Sequence, residues 1–340
     1  MSFFDLDPDA QIKVLEEVAV QALNHWRTSD ADLRLIKYRE NAVFEVRDGT
    51  HRSALRLHRL GYHSDAALAS ELLWMQALAE AGIRVPDLIS AADGRHFVTV
   101  DHPEMPGPVQ VDRFAWVEGQ ILGSVEEGIA DESEVAANYQ LMGALAGRVH
   151  NQASVWSPPA SFVRHAWDAE GLAGRQPFWG QFWRLASATD AERALLEAGR
   201  DRVFADLSAL DRSGNVYSMI HADFAPENLM VDGDGVRLID FDDAGFGWHL
   251  FELATSLYFI WDEPYFAVAK NALIAGYRSE RPLSDDHLAL LPLMLVARGF
   301  TYLGWVHTRQ ETETARELTP MLLDQSARLT RSYLEGTFRL

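Results

Sequence analysis

The stretch that most constrains the chain is residues 216–243, VYSMIHADFAPENLMVDGDGVRLIDFDD. Two apolar, β-branched runs flank Asp232-Gly233-Asp234-Gly235, and a Gly/Asp cluster between alternating runs predicts a β-hairpin. A tight turn there folds Asn228 back toward Asp240, with the register left open. His221 and Asp223 enter from the preceding run. One ribbon thus gathers carboxylates, an amide and an imidazole, the groups needed by an oxygen-preferring divalent cation and by a hydroxyl to be deprotonated.

At 340 residues the chain exceeds what one core usually serves, so two lobes are expected. It has no cysteine, which excludes a disulfide framework, a thiolate metal site and a cysteine nucleophile. The start, MSFFDLDPDAQIK, is acidic where a secretory signal would be basic, and the longest apolar run, 288–297, contains Pro292. No membrane span and a cytoplasmic location are the expectations. A formal charge of −20 argues against a nucleic-acid partner and leans toward cationic substrates, although solubility alone accounts for it equally well.

Taken in order, Ile12, Leu15, Val18 and Leu23 predict an amphipathic helix over about 9–25. Strand runs follow at 33–38, 42–47 and 52–59, then a helix capped by Ser64 and stopped by Gly82, then strands at 96–101 and 109–117. Glu71 shares the apolar face of that helix with Leu68, Met75 and Leu78. A buried carboxylate there needs a cation, and the nearest strand offers Arg56. From Gly119 the pattern is mainly helical: a helix capped by Asp131 to about 150, a Trp- and Pro-rich segment at 156–183, a helix over about 190–210, and helices from Phe251 onward. The reading is α+β, with a five-stranded antiparallel sheet and helices over 1–118 and a larger, mainly helical part over 119–340 that carries the ribbon.

That order resembles the bilobal protein-kinase-like fold. His221-x-Asp223 followed by Asn228 has the H-x-D-x-x-x-x-N spacing of the kinase catalytic loop, and Asp240-Phe-Asp242 falls where D-F-G would be. His-Ala-Asp-Phe and Ile-Asp-Phe-Asp-Asp are similar to the aminoglycoside phosphotransferase and homoserine kinase-like family. The resemblance extends through Glu40-Asn41, Ala54-Leu-Arg-Leu57, Glu71, Trp116-Val-Glu-Gly119 and Glu252-Leu-Ala254. It implies an ATP- and Mg²⁺-dependent phosphotransferase with an alcohol acceptor. On that resemblance Asp223 acts on the acceptor hydroxyl, while Asn228 and Asp240 hold the metal, with Asp242 either a second metal contact or a solvated turn residue. Arg56, Glu71, Asn41, Trp116, Val117 and Glu118 face the nucleotide, and Glu252 and His221 are structural.

Two departures stand out. The family's phosphate-contacting Lys is replaced by Arg56 in a chain with only three lysines, Lys13, Lys37 and Lys270. Arginine can pair with Glu71 and clamp phosphate bidentately, and Lys37 is the alternative phosphate ligand. The nucleotide loop at 38–42 also lacks glycine, so side chains such as Asn41 are expected to make the contacts. The expected acceptor is a small cationic hydroxyl compound: an amino alcohol, amino sugar or hydroxy-amino acid. Alternatives are a Ser/Thr protein kinase of the bacterial stress-response type and a nucleotide-binding pseudokinase. A haloacid-dehalogenase D-x-D reading leaves His221, Asp223 and Asn228 unexplained. No Gly-Lys-Ser/Thr or H-E-x-x-H occurs, against a P-loop NTPase and a zinc hydrolase.

Overall fold

A computed structural model describes residues 3–123, 132–233 and 235–338. In chain order the elements begin with α1 (Pro8–Leu23), β1 (Asp32–Tyr38), β2 (Ala42–Asp48), β3 (His51–Leu57), α2 (Asp65–Glu80), β4 (Phe97–Val100) and β5 (Val109–Ala115). Next come β6 (Gln120–Ile121), α3 (Glu132–Val155), β7 (Ala166–Trp167), α4 (Ala169–Ala173), α5 (Asp190–Ser208), β8 (Tyr217–Ile220), β9 (Leu229–Asp232), β10 (Gly235–Leu238) and β11 (Gly245–Trp248). The helices α6 (His249–Leu257), α7 (Phe266–Glu280), α8 (Asp285–Leu288), α9 (Leu291–Thr308) and α10 (Glu313–Leu334) close the chain. The α+β class and the five-stranded antiparallel sheet are as expected. The expected cap Asp131 and turn residue Asp234 lie outside the described residues.

The chain forms two compact units. The first comprises Met1–Gly119, Pro158–Val163 and Asp232–Ile239. Its sheet runs β1-β2-β3-β5-β4, antiparallel throughout. Phe44, Val46, Leu55, Leu57, Val98 and Val111 form one core with Val18, Ala19, Ala22 and Leu23 of α1. Strand alternation therefore sends Arg56, between Leu55 and Leu57, to the opposite face. There it stands across from Asp112 of β5 in the register. Helix α2 is capped by Ser64, whose Oγ accepts from the Ala67 amide, and Glu71 sits fully buried among its apolar residues. The later segments are tied in by specific bonds. The Leu238 amide donates to the Arg84 carbonyl, Arg84 grips Asp232 through two 2.7 Å bonds, and the Val163 amide donates to Ser70 Oγ.

The second unit, Gln120–Ser157, Arg164–Val231 and Asp240–Leu340, is built on helices. Helices α3 and α7 meet at glycines because nothing larger fits: a Cβ on Gly143 would lie 1.9 Å from the Leu273 carbonyl oxygen, and one on Gly276 would lie 1.9 Å from that of Gln140. A small sheet, β7-β11-β8, belongs to this unit. Its strand β7 lies within the Trp-rich segment, where two-residue strands leave no periodicity to read. Helix α5 starts from Thr189 in a reciprocal capping box with Glu192. Within Asp285–Thr308 lies an 18-residue window apolar enough to cross a membrane, but 72% of it is buried, which marks a core helix.

Candidate active site

Strand β8 ends at Ile220 and delivers His221, Ala222 and Asp223 in one sharp turn. Ala222 lies in the left-handed region at φ 64°, which a residue with a Cβ enters only under constraint. Glu252 on α6 supplies that constraint: its Oε1 accepts from the His221 amide at 2.8 Å and its Oε2 from the Ala222 amide at 2.6 Å. Burial pushes the Glu252 carboxyl up, against the pull of His221 and the two amides. His221 is itself buried, edge-on to Phe241, and its Nδ1 accepts from the Asp223 amide. Both residues therefore hold the loop.

Asp223 is held at both carboxylate oxygens. Asn228 Nδ2 donates to Oδ2 at 2.7 Å and to the Asp223 carbonyl at 2.8 Å. Arg298 Nη2 on α9 donates to Oδ1 at 3.0 Å, and the Asp223 side chain remains 30% exposed. The amide nitrogen of Asn228 is thus committed to Asp223, which leaves the amide oxygen as the group able to bind a cation.

Asp240 follows β10 at φ 64°, the second strained non-glycine residue in this unit. The loop after it is fixed through its carbonyls. Arg164 donates from Nη2 to Asp242 and from Nε to Ala244, both at 2.5 Å, and Trp167 Nε1 donates to Asp243 at 2.8 Å. Asp223, Asn228, Asp240 and Asp242 all lie in this unit on sequence-local loops, with Asn228 bonded to Asp223 and the Asp242 carbonyl held by Arg164. An amide oxygen and two carboxylates form the oxygen donor set that Mg²⁺ prefers. These residues fit such an ion.

The residues expected to face a nucleotide lie in the first unit. Arg56 donates from Nη2 to Glu71 at 2.7 Å, and from Nε and Nη2 to Asp112 at 3.1 and 2.6 Å. His58 Nε2 reaches the same Asp112 carboxylate at 3.0 Å. Burial alone would raise the Asp112 carboxyl, but Arg56 and His58 outweigh it and hold it at about 2. The Arg56 edge best suited to a phosphate is therefore already committed to Asp112. Asn41 Oδ1 accepts from the Arg59 amide, bracing the loop against the end of β3. In the connector, Arg52 stacks over Trp116 at 4.3 Å and binds Glu118 at 2.7 Å, with Val117 half-buried. Lys37 is exposed on edge strand β1.

Residues 33–290 match the model of the phosphotransferase enzyme family. The chain belongs to that family. This phosphotransferase is an enzyme that transfers phosphate to a hydroxyl, and its fold is protein-kinase-like. It is 33% identical to a solved microcompartment-associated aminopropanol kinase, with a TM-score of 0.83 over 95% of this chain and 99% of the other. The amicoumacin kinase of Bacillus subtilis (strain 168) is 24% identical over 327 residues, 92% of this chain and 91% of its own. A solved amicoumacin kinase in complex with AMP-PNP, Ca²⁺ and Ami shares the fold, at 18% identity and a TM-score of 0.74 over 95% of this phosphotransferase and 96% of that chain.

Three functional-site neighbours escaped the sequence reading. Asp112 was recoverable, since it alternates with the apolar residues of β5 and pairs in register with Arg56. Arg164 and Arg298 had no such signal, because each reaches the site from an element distant in sequence.

Proposed function

We propose that this phosphotransferase is an ATP- and Mg²⁺-dependent kinase of a small amino alcohol, working in the cytoplasm. The observation that carries the reading is Asp223, a partly exposed carboxylate whose two oxygens are each fixed by a donor, in the same unit as Asn228, Asp240 and Asp242. Whole-length likeness to an aminopropanol kinase supports the acceptor class, as does the charge of −20 for a substrate bearing an ammonium group.

The acceptor hydroxyl donates a hydrogen bond to Asp223, which orients its oxygen toward the terminal phosphorus of ATP. As the new O–P bond forms and the bond to ADP breaks, the hydroxyl proton passes to the Asp223 carboxylate. Asn228, Asp240 and Asp242 would hold Mg²⁺, which supplies charge compensation to the phosphate oxygens when bound. On the nucleotide side, Arg56 on the central strand β3 pairs with Glu71, while Asn41 and the 116–118 connector would shape the remainder. Phosphoryl transfer asks the protein mainly for positioning, and a rigidly held carboxylate supplies it.

The test is a panel of acceptors with ATP and Mg²⁺: aminopropanol and its homologues, a hydroxy-amino acid, an aminoglycoside and a Ser/Thr-rich polypeptide. ADP release and phosphorus NMR of the product are the readouts. Phosphorylation of the amino alcohols with the highest kcat/KM supports the reading. Transfer to the polypeptide alone, or to none of the amino alcohols, overturns it.

A further inference from the structure

Arg298 is the most deeply buried cation in contact with the site. It stands on α9, beyond the residues 33–290 matched by the family model. Its side chain is wholly buried, and its guanidinium lies 4.1 Å over the ring of Tyr302, one turn further along α9. Trp179 at 5.3 Å and Phe251 at 5.7 Å also face it. A single nitrogen, Nη2, donates to Asp223 Oδ1 at 3.0 Å and to the Tyr302 hydroxyl at 2.8 Å. Its Nε and Nη1 have no hydrogen-bond partner among the described residues.

We infer that Arg298 is a positioning residue for the phosphoryl transfer, fixing the plane and charge of Asp223 from behind. The inference rests on the reading of Asp223 as the group that meets the acceptor. A cation in a desolvated aromatic box is costly unless a carboxylate faces it, and Asp223 is the carboxylate to which it donates. Stacking on Tyr302 prevents the guanidinium from turning away, so Oδ1 has one fixed donor. Asn228 fixes Oδ2, and both oxygens of the carboxylate are then located before any acceptor arrives. Only the remaining lone pairs, on the exposed side, are left for the hydroxyl.

The carboxylates of Asp243 and Glu252 also bear on the guanidinium, but Asp223 is the one to which it donates. Tyr302 is the hinge of this device, since it both stacks against the guanidinium and accepts from the shared nitrogen.

The experiment compares Arg298→Met, Arg298→Lys and Tyr302→Phe with wild type, and combines Arg298→Met with Asp223→Asn. A positioning role predicts that Arg298→Met lowers kcat on the order of 10²-fold, with the KM for ATP changed less than about twofold. Arg298→Lys recovers about tenfold of that loss because it retains a donor and the charge. In the Asp223→Asn background, Arg298→Met leaves kcat unchanged. Equal losses from Arg298→Met in both backgrounds, or a fall in kcat that tracks a raised KM for ATP, overturn the proposal. A thermal-unfolding cycle reads the pair without turnover: each single variant lowers Tm by roughly 5 °C, and the double variant by less than their sum. Additive shifts overturn the pairing. Wild type inactive toward every acceptor, with the coupled Tm cycle intact, counts against the kinase reading and not against the pair.

Discussion

Arg56 and Asp112 face each other across β3 and β5, and the arginine binds this aspartate through two nitrogens while it binds Glu71 through one. Two fully buried carboxylates thus share one guanidinium, with His58 also on Asp112. Arg56→Ala should destabilise the protein by ~3 kcal/mol or more, since removing one partner strands buried charge. Arg56→Lys keeps the charge but cannot span both carboxylates, and should lose about half as much. Chemical denaturation checks both. A raised KM for ATP in Arg56→Ala, with Lys37→Ala unchanged, places the phosphate contact on β3; the reverse moves it to β1.

Asp223→Asn should reduce turnover by on the order of 10²- to 10⁴-fold while nucleotide affinity stays near that of wild type. Steady-state kinetics and nucleotide titration separate the two. Unchanged phosphate transfer by this variant would remove Asp223 from the chemistry.

The metal candidates are expected to separate by charge. Asp240→Ala should weaken Mg²⁺-dependent nucleotide binding more than Asn228→Ala, because a carboxylate contributes more to a hard cation than an amide oxygen. Asn228→Ala should instead lower kcat, since it strips both amide hydrogen bonds from Asp223. Calorimetric titration with and without Mg²⁺, paired with kinetics, distinguishes them.

Stability should fall as the solution is acidified. His150 and His249 stack at 4.3 Å in the core. Burial holds both well below the ordinary histidine range, with Arg281 adding to the effect. They stay neutral in the fold where the unfolded chain would bind protons. Their contribution is therefore complete above about pH 6.5 and declines below it, with a limiting slope of ~2.7 kcal/mol per pH unit for two protons. Asp112, held at about 2, adds a further loss as pH drops below its unfolded value of about 3.9. Denaturation between pH 8 and 5 measures the first window, and replacing both histidines by glutamine should flatten it.

Gly143→Ala should cost about 3 kcal/mol, because a methyl group 1.9 Å from a backbone oxygen forces α3 and α7 apart. Gly107→Ala meets nothing within 4 Å and should fall within about 0.5 kcal/mol of wild type. Thermal unfolding of the two variants is sufficient to compare them.

What could be read from the sequence follows from the range of each signal. The five strands alternate or lie beside turn residues, and α2 carries its own cap and stop, so the sheet and that helix were legible. Glu71 was placed on its face by helical spacing, which made its cation predictable. The ribbon's acids and amide are adjacent in sequence and announce themselves as a motif. Arg298 and Arg164 do not, because three-dimensional proximity to a loop more than seventy residues away leaves no local pattern. Asp112 falls between these cases: alternation put it on the right face, but only the β3–β5 register identified its partner.

The membership of Asp232–Ile239 in the first unit has a consequence for biosynthesis. Arg84 has no Asp232 to grip, and its carbonyl no Leu238 amide, until the chain has been extended well past the sheet. At about 5–20 residues per second the ribosome needs on the order of ten seconds to travel from residue 119 to residue 239. During that interval the five-stranded sheet is complete and has its own core, but the segment that anchors to Arg84 has not been made, and most of α3 to α5 is emerging beside it. A fragment that stops at residue 119 would be caught permanently in that interval, which makes it a poor choice for producing the first unit alone.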